Sequence, residues 1–135
     1  MLEEKKIYRA YIEGYASDGS GVARVEGMAV FVKNTIRDEL VDICIDHIGH
    51  NAAWGHVAGR LTPCHARQEP DCVYYETCGG CQFRHMNYAE ELEAKRQRVD
   101  DALRRIGGLE LKVERIHGAA QTGRYRNKIQ LPVSD

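Results

Sequence analysis

The chain has 135 residues, 43% of them apolar and 29% charged, with a net charge of −1. That length holds one ordinary domain or two very small ones, and no apolar run approaches the ~20 residues needed to span a bilayer. Five cysteines, an odd number, do not make a complete disulfide framework, and the charged start Met1–Lys6 lacks the apolar stretch of a secretory leader. The expected compartment is a reducing cytoplasm.

Residues 6–60 read as five short strands. Lys6–Gly14 is rich in Ile and Tyr. Ala16–Gly21 is dense in turn formers, and Val22–Val25 follows. Glu26-Gly27 makes a tight turn into Met28–Val32, a hairpin pattern. Leu40–Ile48 alternates Leu40, Asp42, Cys44 and Asp46 with Val41, Ile43, Ile45 and His47, the period of a half-buried strand. Ala52–Leu61 is the fifth. Five short strands over this span predict a small closed barrel, which removes sheet edges. Of its aromatics, Tyr8, Tyr11 and Tyr15 are candidates to stack on unpaired bases, whereas Phe31, in an apolar run, is expected in the core. Cys44 is expected to behave as a small buried hydrophobe.

Residues 62–86 show almost no periodicity and hold four of the five cysteines. A bound metal or cluster would supply the constraint that a core cannot. Residues 88–106 predict a helix capped by Asn87, with Glu90 in a capping-box position and Gly107-Gly108 as its end. Leu92, Val99, Leu103 and Ile106 share its apolar face. Two further strands are expected, Leu111–Ile116 and Tyr125–Val133. The chain stops directly after the second of these, which reads as a truncation. The expected divisions are residues 1–62 for the barrel, 63–86 for the cysteine loop, and 87–135 for the helix and the start of a further domain. The fold class is thus β-rich α+β.

Cys72, Cys78 and Cys81 stand at C-x5-C-x2-C spacing, with Gly79-Gly80 between the last two. Glycines let the backbone curl tightly enough for several thiolates to point at one centre, and thiolates so clustered read as soft-metal ligands. Iron–sulfur clusters and all-thiolate zinc sites both take four cysteines; this motif supplies three. Within the chain, Cys64 would complete a zinc set, although the spacing is loose for zinc ligands, which come in two close pairs. His65 and His85 are better read as hydrogen-bonded surface histidines than as ligands.

The charge is unevenly spread. Residues 1–83 carry eight Lys/Arg against twelve Asp/Glu, whereas residues 84–130 carry eleven against seven. Phosphate contacts therefore favour the C-terminal half. Lys95, Arg96, Arg98, Arg104 and Arg105 could track phosphates, but a solvated helix face with Glu91–Lys95 pairing explains them better. Arg124, Arg126 and Lys128 alternate along the last predicted strand, so they would share one face, which suits contact with a nucleic-acid backbone and equally an ordinary solvated strand face.

Three motifs together carry a family resemblance. Gly19-x-Gly21-Val22-Ala23-Arg24-Val25-x-Gly27-x-Ala29-Val30-Phe31-Val32 resembles the TRAM domain, a small OB-like barrel found on RNA-modifying enzymes. Cys72-x5-Cys78-Gly79-Gly80-Cys81-Gln82-x2-His85, followed by the helix through Leu103–Gly107, resembles the cluster region of the RNA uracil-5-methyltransferases. Tyr125–Gln130 is similar to the start of that family's central RNA-binding domain.

The resemblance implies a 4Fe-4S cluster held by Cys72, Cys78 and Cys81, with the fourth cysteine beyond Asp135. It implies S-adenosylmethionine as methyl donor and RNA as partner, with 23S rRNA expected ahead of tRNA. Neither a membrane nor an obligate protein partner is implied. It makes His85 a neighbour of the cluster. It also places the catalytic thiolate, the base and the donor site beyond Asp135, so no catalytic residue is assigned here. One departure stands out: Arg37-Asp38-Glu39 replaces the family's Pro-Gly-Glu before the fourth strand, which implies a differently built turn. The alternative reading is a non-enzymatic RNA-binding adaptor with a four-cysteine zinc site.

Overall fold

The computed structural model describes residues 1–134. Five strands, β1 (Ile7–Tyr15), β2 (Gly21–Val25), β3 (Met28–Val32), β4 (Leu40–Ile48) and β5 (Ala52–Thr62), close into a barrel in the order β1-β2-β3-β5-β4. All neighbours are antiparallel except β3 and β5, which run parallel. Register shifts between Ile12 and Gly14 and at three points along β4–β5 bend the strands around so small a cylinder.

Period-two alternation decides what faces inward. Val41, Ile43 and Ile45 of β4 are fully buried, as are Ala23, Val30, Val32 and Ala53 from the other strands. Each such Val or Ile contributes about 1.5–3 kcal/mol relative to leaving it in water. The β2–β3 hairpin turns on Glu26 and Gly27, both at positive φ (49° and 83°), as a two-residue loop matching strand twist requires. Gly21 has another reason: a Cβ there would lie 1.9 Å from the Thr35 hydroxyl oxygen.

Two expectations for the barrel are corrected. Phe31 points outward and lies against Trp54, with ring centroids 5.9 Å apart. Cys44, on the outward row of β4, is half-buried rather than part of the core.

Beyond the barrel come a single helical turn, α1 (Tyr75–Cys78), and a longer helix, α2 (Tyr88–Asp101), continued by a π-helical turn over Ala102–Ile106. Asn87 caps α2 as expected, accepting from the Glu90 N–H at 3.0 Å. The Glu90 side chain does not close a capping box. Its carboxylate instead accepts from the Tyr15 hydroxyl at 2.8 Å and faces Arg37 at 3.3 Å. The face that meets the barrel is therefore Glu90, Ala94 and Gln97, the last beside Gly14. The predicted apolar face is not buried: Val99 is 48% exposed and Ile106 87%.

The predicted strands Leu111–Ile116 and Tyr125–Val133 do not form among the described residues. A strand is stabilised by a partner's ladder, and the segment's bonds go elsewhere. The Val113 N–H donates to Asp100, and the Ala119 N–H to the Tyr88 hydroxyl. Among the described residues, no helix is long and apolar enough to cross a membrane.

Candidate metal centre

The cysteine loop leaves the fold through a narrow neck. Arg67 and Met86 form an isolated bridge, the Gln68 N–H donates to His85 O at 3.0 Å, and the Asn87 N–H donates to Ala66 O at 2.7 Å. Beneath the neck, Ile36, Ala66 and Met86 make a small apolar cluster joined by Tyr15, Cys64 and Phe83. Cys64 thus packs within the neck, and its sulfur accepts from the Ala66 N–H at 3.5 Å.

Glu39 holds that neck to the barrel. Its carboxylate is fully buried and accepts from the Ile36 and Cys64 N–H groups, from Arg60 Nε at 3.2 Å and from Arg67 Nε at 2.7 Å. Burial alone would push this carboxyl up. The Arg67 guanidinium and the two N–H groups outweigh burial and hold it below the ordinary carboxylate value. The variant turn that precedes β4 keeps this glutamate, and Asp38 takes the positive φ (71°) where glycine is usual.

A second tie runs through the loop itself. The Tyr75 hydroxyl, between Cys72 and Cys78, lies 2.7 Å from His85 Nδ1, and His85 Nε2 lies 2.9 Å from Thr35 O. A carbonyl only accepts, so Nε2 carries the proton and Nδ1 receives the tyrosine's. Sequence placed His85 at the surface; it is 1% exposed. Burial, reinforced by Arg67 and Arg60, depresses its pKa despite the Thr35 bond and Glu39. Burial also raises the Tyr75 pKa, helped by Glu76 and Cys81, so the hydroxyl remains a donor. The barrel's glycine turn completes the dock: a Cβ on Gly19 would lie 2.8 Å from Gln82 Cβ and 3.2 Å from Phe83.

So anchored, the loop presents Cys72, Cys78 and Cys81 as free, exposed thiols. Gly79 caps α1 at φ +69°, turning the chain between the last two. Thiolates on a glycine-turned loop fit the donor chemistry of an iron–sulfur cluster, although among the described residues the three sulfurs do not all lie within 4.8 Å of one another. Asp71, Cys72, Val73, Tyr74, Arg84, Gly123 and Arg124 line an open groove beside them.

The structure therefore brings Arg124 to the cysteine loop. It does not align Arg124 with Arg126 and Lys128 on a strand face, because no strand exists there and Arg124 has φ +53°. All three are exposed, and no ion pair among the described residues engages them. Most helix cations are paired, as expected: Lys95 with Glu91 at 2.7 Å, Arg96 with Glu93 and Asp100, Arg104 and Arg105 with Asp101.

Residues 2–58, most of the closed five-stranded barrel, match the TRAM domain family. The chain is 40% identical over 132 residues to an uncharacterized RNA methyltransferase of Clostridium tetani, covering 98% of this chain and 29% of that protein. It is 37% identical to one of Clostridium acetobutylicum (99% and 30%) and 36% identical to one of Bacillus cereus (99% and 30%). A solution structure of a conserved Methanococcus maripaludis protein is 26% identical, with a TM-score of 0.41, over 43% of this chain and 83% of that one. The barrel residues thus match the TRAM domain family, and nearly the whole chain is similar to proteins named as RNA methyltransferases. The chain spans about 30% of the length of the curated relatives it matches.

Proposed function

We propose that the chain is the RNA-binding and cluster-holding part of a cytoplasmic, S-adenosylmethionine-dependent RNA (uracil-5-)-methyltransferase acting on 23S rRNA in preference to tRNA. The observation that carries this reading is the loop with three exposed thiols, docked against a barrel that matches the TRAM domain family. The relatives' printed names support methyl transfer to RNA. Cys72, Cys78 and Cys81 would hold a 4Fe-4S cluster with one ligand from elsewhere. That group would lock a segment too irregular to order itself.

Uracil C5 is a weak nucleophile. The reaction class needs a thiolate that adds at C6, a base that takes the C5 proton, and a base freed from its stack. No residue of this chain is assigned those roles, and the chain alone is expected to transfer no methyl group. Its part is to bind RNA and to position the loop.

Anaerobic reconstitution of the full-length protein, which carries the fourth ligand, with iron and sulfide tests the cluster assignment. The expected product is brown, and serine at Cys72, Cys78 or Cys81 abolishes the colour while Cys64→Ser leaves it nearly intact. Stoichiometric zinc without sulfide in protein purified without oxygen would overturn the assignment in favour of a zinc site. Donor-dependent 5-methyluridine formed by the chain alone would contradict the assigned division of labour.

A further inference from the structure

A second set of metal-ligating side chains lies on the barrel wall, on strands rather than on the cysteine loop. Cys44 of β4 stands directly opposite His56 of β5. Asp46 follows two residues along β4, beside the register shift between Ile45 and His47. Ile43 and Ile45, on the other face of β4, are fully buried, so the Cys44–Asp46 row faces outward.

One ligand atom from each of Cys44, Asp46 and His56 lies within 4.8 Å of the other two. His56 Nδ1 is 2.8 Å from Asp46 Oδ1 and 3.0 Å from Oδ2. Tetrahedral zinc, with bonds of about 2.3 Å to sulfur and about 2.0–2.1 Å to nitrogen and oxygen, sets its ligand atoms roughly 3.3–3.7 Å apart. Side-chain rotation alone spans that difference, while the paired strands hold the backbone in register.

The neighbouring charges leave the set available. Asp42, the previous member of the row, is committed to Arg9 at 2.8 and 3.1 Å. Glu4 is engaged by the Ile48 N–H and by His47. Asp46, by contrast, pairs with no lysine or arginine among the described residues. Cys44 is a free thiol. A mixed thiolate, imidazole and carboxylate set suits zinc and not magnesium or calcium, which take oxygen ligands.

We propose that Cys44, Asp46 and His56 form a zinc site on the outer wall of the barrel, with water in the fourth position. Binding displaces the thiol proton and the hydrogen bond between His56 and Asp46, so affinity falls as the pH falls. The site is independent of whatever group the cysteine loop holds.

Cobalt(II) is the probe, used on the full chain carrying Cys72→Ser, Cys78→Ser and Cys81→Ser to silence the loop. One equivalent should bind, give thiolate-to-cobalt charge-transfer absorption, and be displaced by zinc. Adding Cys44→Ser should remove that absorption, and His56→Gln should weaken binding by more than about tenfold. Circular dichroism without metal checks that each barrel is intact. In the chain with native loop cysteines, Cys44→Ser should remove one bound zinc equivalent, which keeps the test independent of the loop substitutions. Absence of saturable binding by an intact barrel overturns the proposal. So does charge transfer that survives Cys44→Ser, which would point to Cys64.

Discussion

Glu39 is a fully buried carboxylate whose acceptors are shared among two guanidiniums and two backbone N–H groups. Glu39→Ala leaves all four without that partner, and the expected loss is about 3 kcal/mol, the low end for breaking a buried pair whose other members are partly solvated. Urea denaturation reads it directly; a loss below about 1 kcal/mol would mean that water replaces the carboxylate. His85 makes a different prediction. Its folded pKa lies below the ordinary 6.5, so the unfolded chain takes the proton first as pH falls. The stability it contributes is present above about pH 6.5 and declines below it. Glu39, with its pKa held below 4.5, sheds its contribution only at lower pH, so the two windows separate. The urea midpoint of the native chain should fall between about pH 7 and pH 5. His85→Gln should start lower and show a shallower fall. An equal slope in both proteins would remove His85 from the account. The sequence signalled neither role: both depend on residues twenty or more positions away, Arg60 and Arg67 for Glu39 and Thr35 for His85.

At the scale of elements, the glycine turn and the cysteine loop are one unit. Gly19 has φ +85° and no room for a Cβ against Gln82 and Phe83. Gly19→Val combines a strained backbone with an overpacked contact and should cost about 2–4 kcal/mol. Because the contact lies at the dock, limited proteolysis should cut within residues 68–84 of the variant before the barrel opens. Cleavage first inside β1–β5 would show that the turn serves the barrel alone. The helix illustrates why element-level expectations fail. Its existence and cap follow from Asn87 and local periodicity. Its docked face does not, because Tyr15 and Arg37 on the barrel capture Glu90, and that fixes Glu90, Ala94 and Gln97 against the wall. Leu92 and Val99, chosen by apolar spacing alone, lose to that pair of polar anchors.

For the molecule as a whole, RNA affinity should follow unpaired cations. Arg124, Arg126 and Lys128 are exposed and outside any ion pair among the described residues, whereas Arg104 and Arg105 share Asp101. Alanine at each of the first three should weaken RNA binding across sequences alike and lower the salt slope by roughly one unit. Alanine at Arg104 or Arg105 should do less. Affinity measured against salt concentration decides it, and unchanged slopes for Arg126→Ala and Lys128→Ala would remove them from the interface. Arg124 differs from the other two because it shares a groove with Cys72 and Arg84, so its substitution should also perturb the spectrum of the cluster proposed for the loop. By itself the sequence determined the barrel's five strands, the β2–β3 turn and the cysteine spacing, because period-two burial, paired turn residues and short-range thiol spacing are local properties. Tertiary structure alone decided what Glu39 and His85 hold, which helix face docks, and that Cys44, Asp46 and His56 converge. Those depend on barrel closure and strand register, which bring distant residues within a few ångströms and which no local pattern encodes.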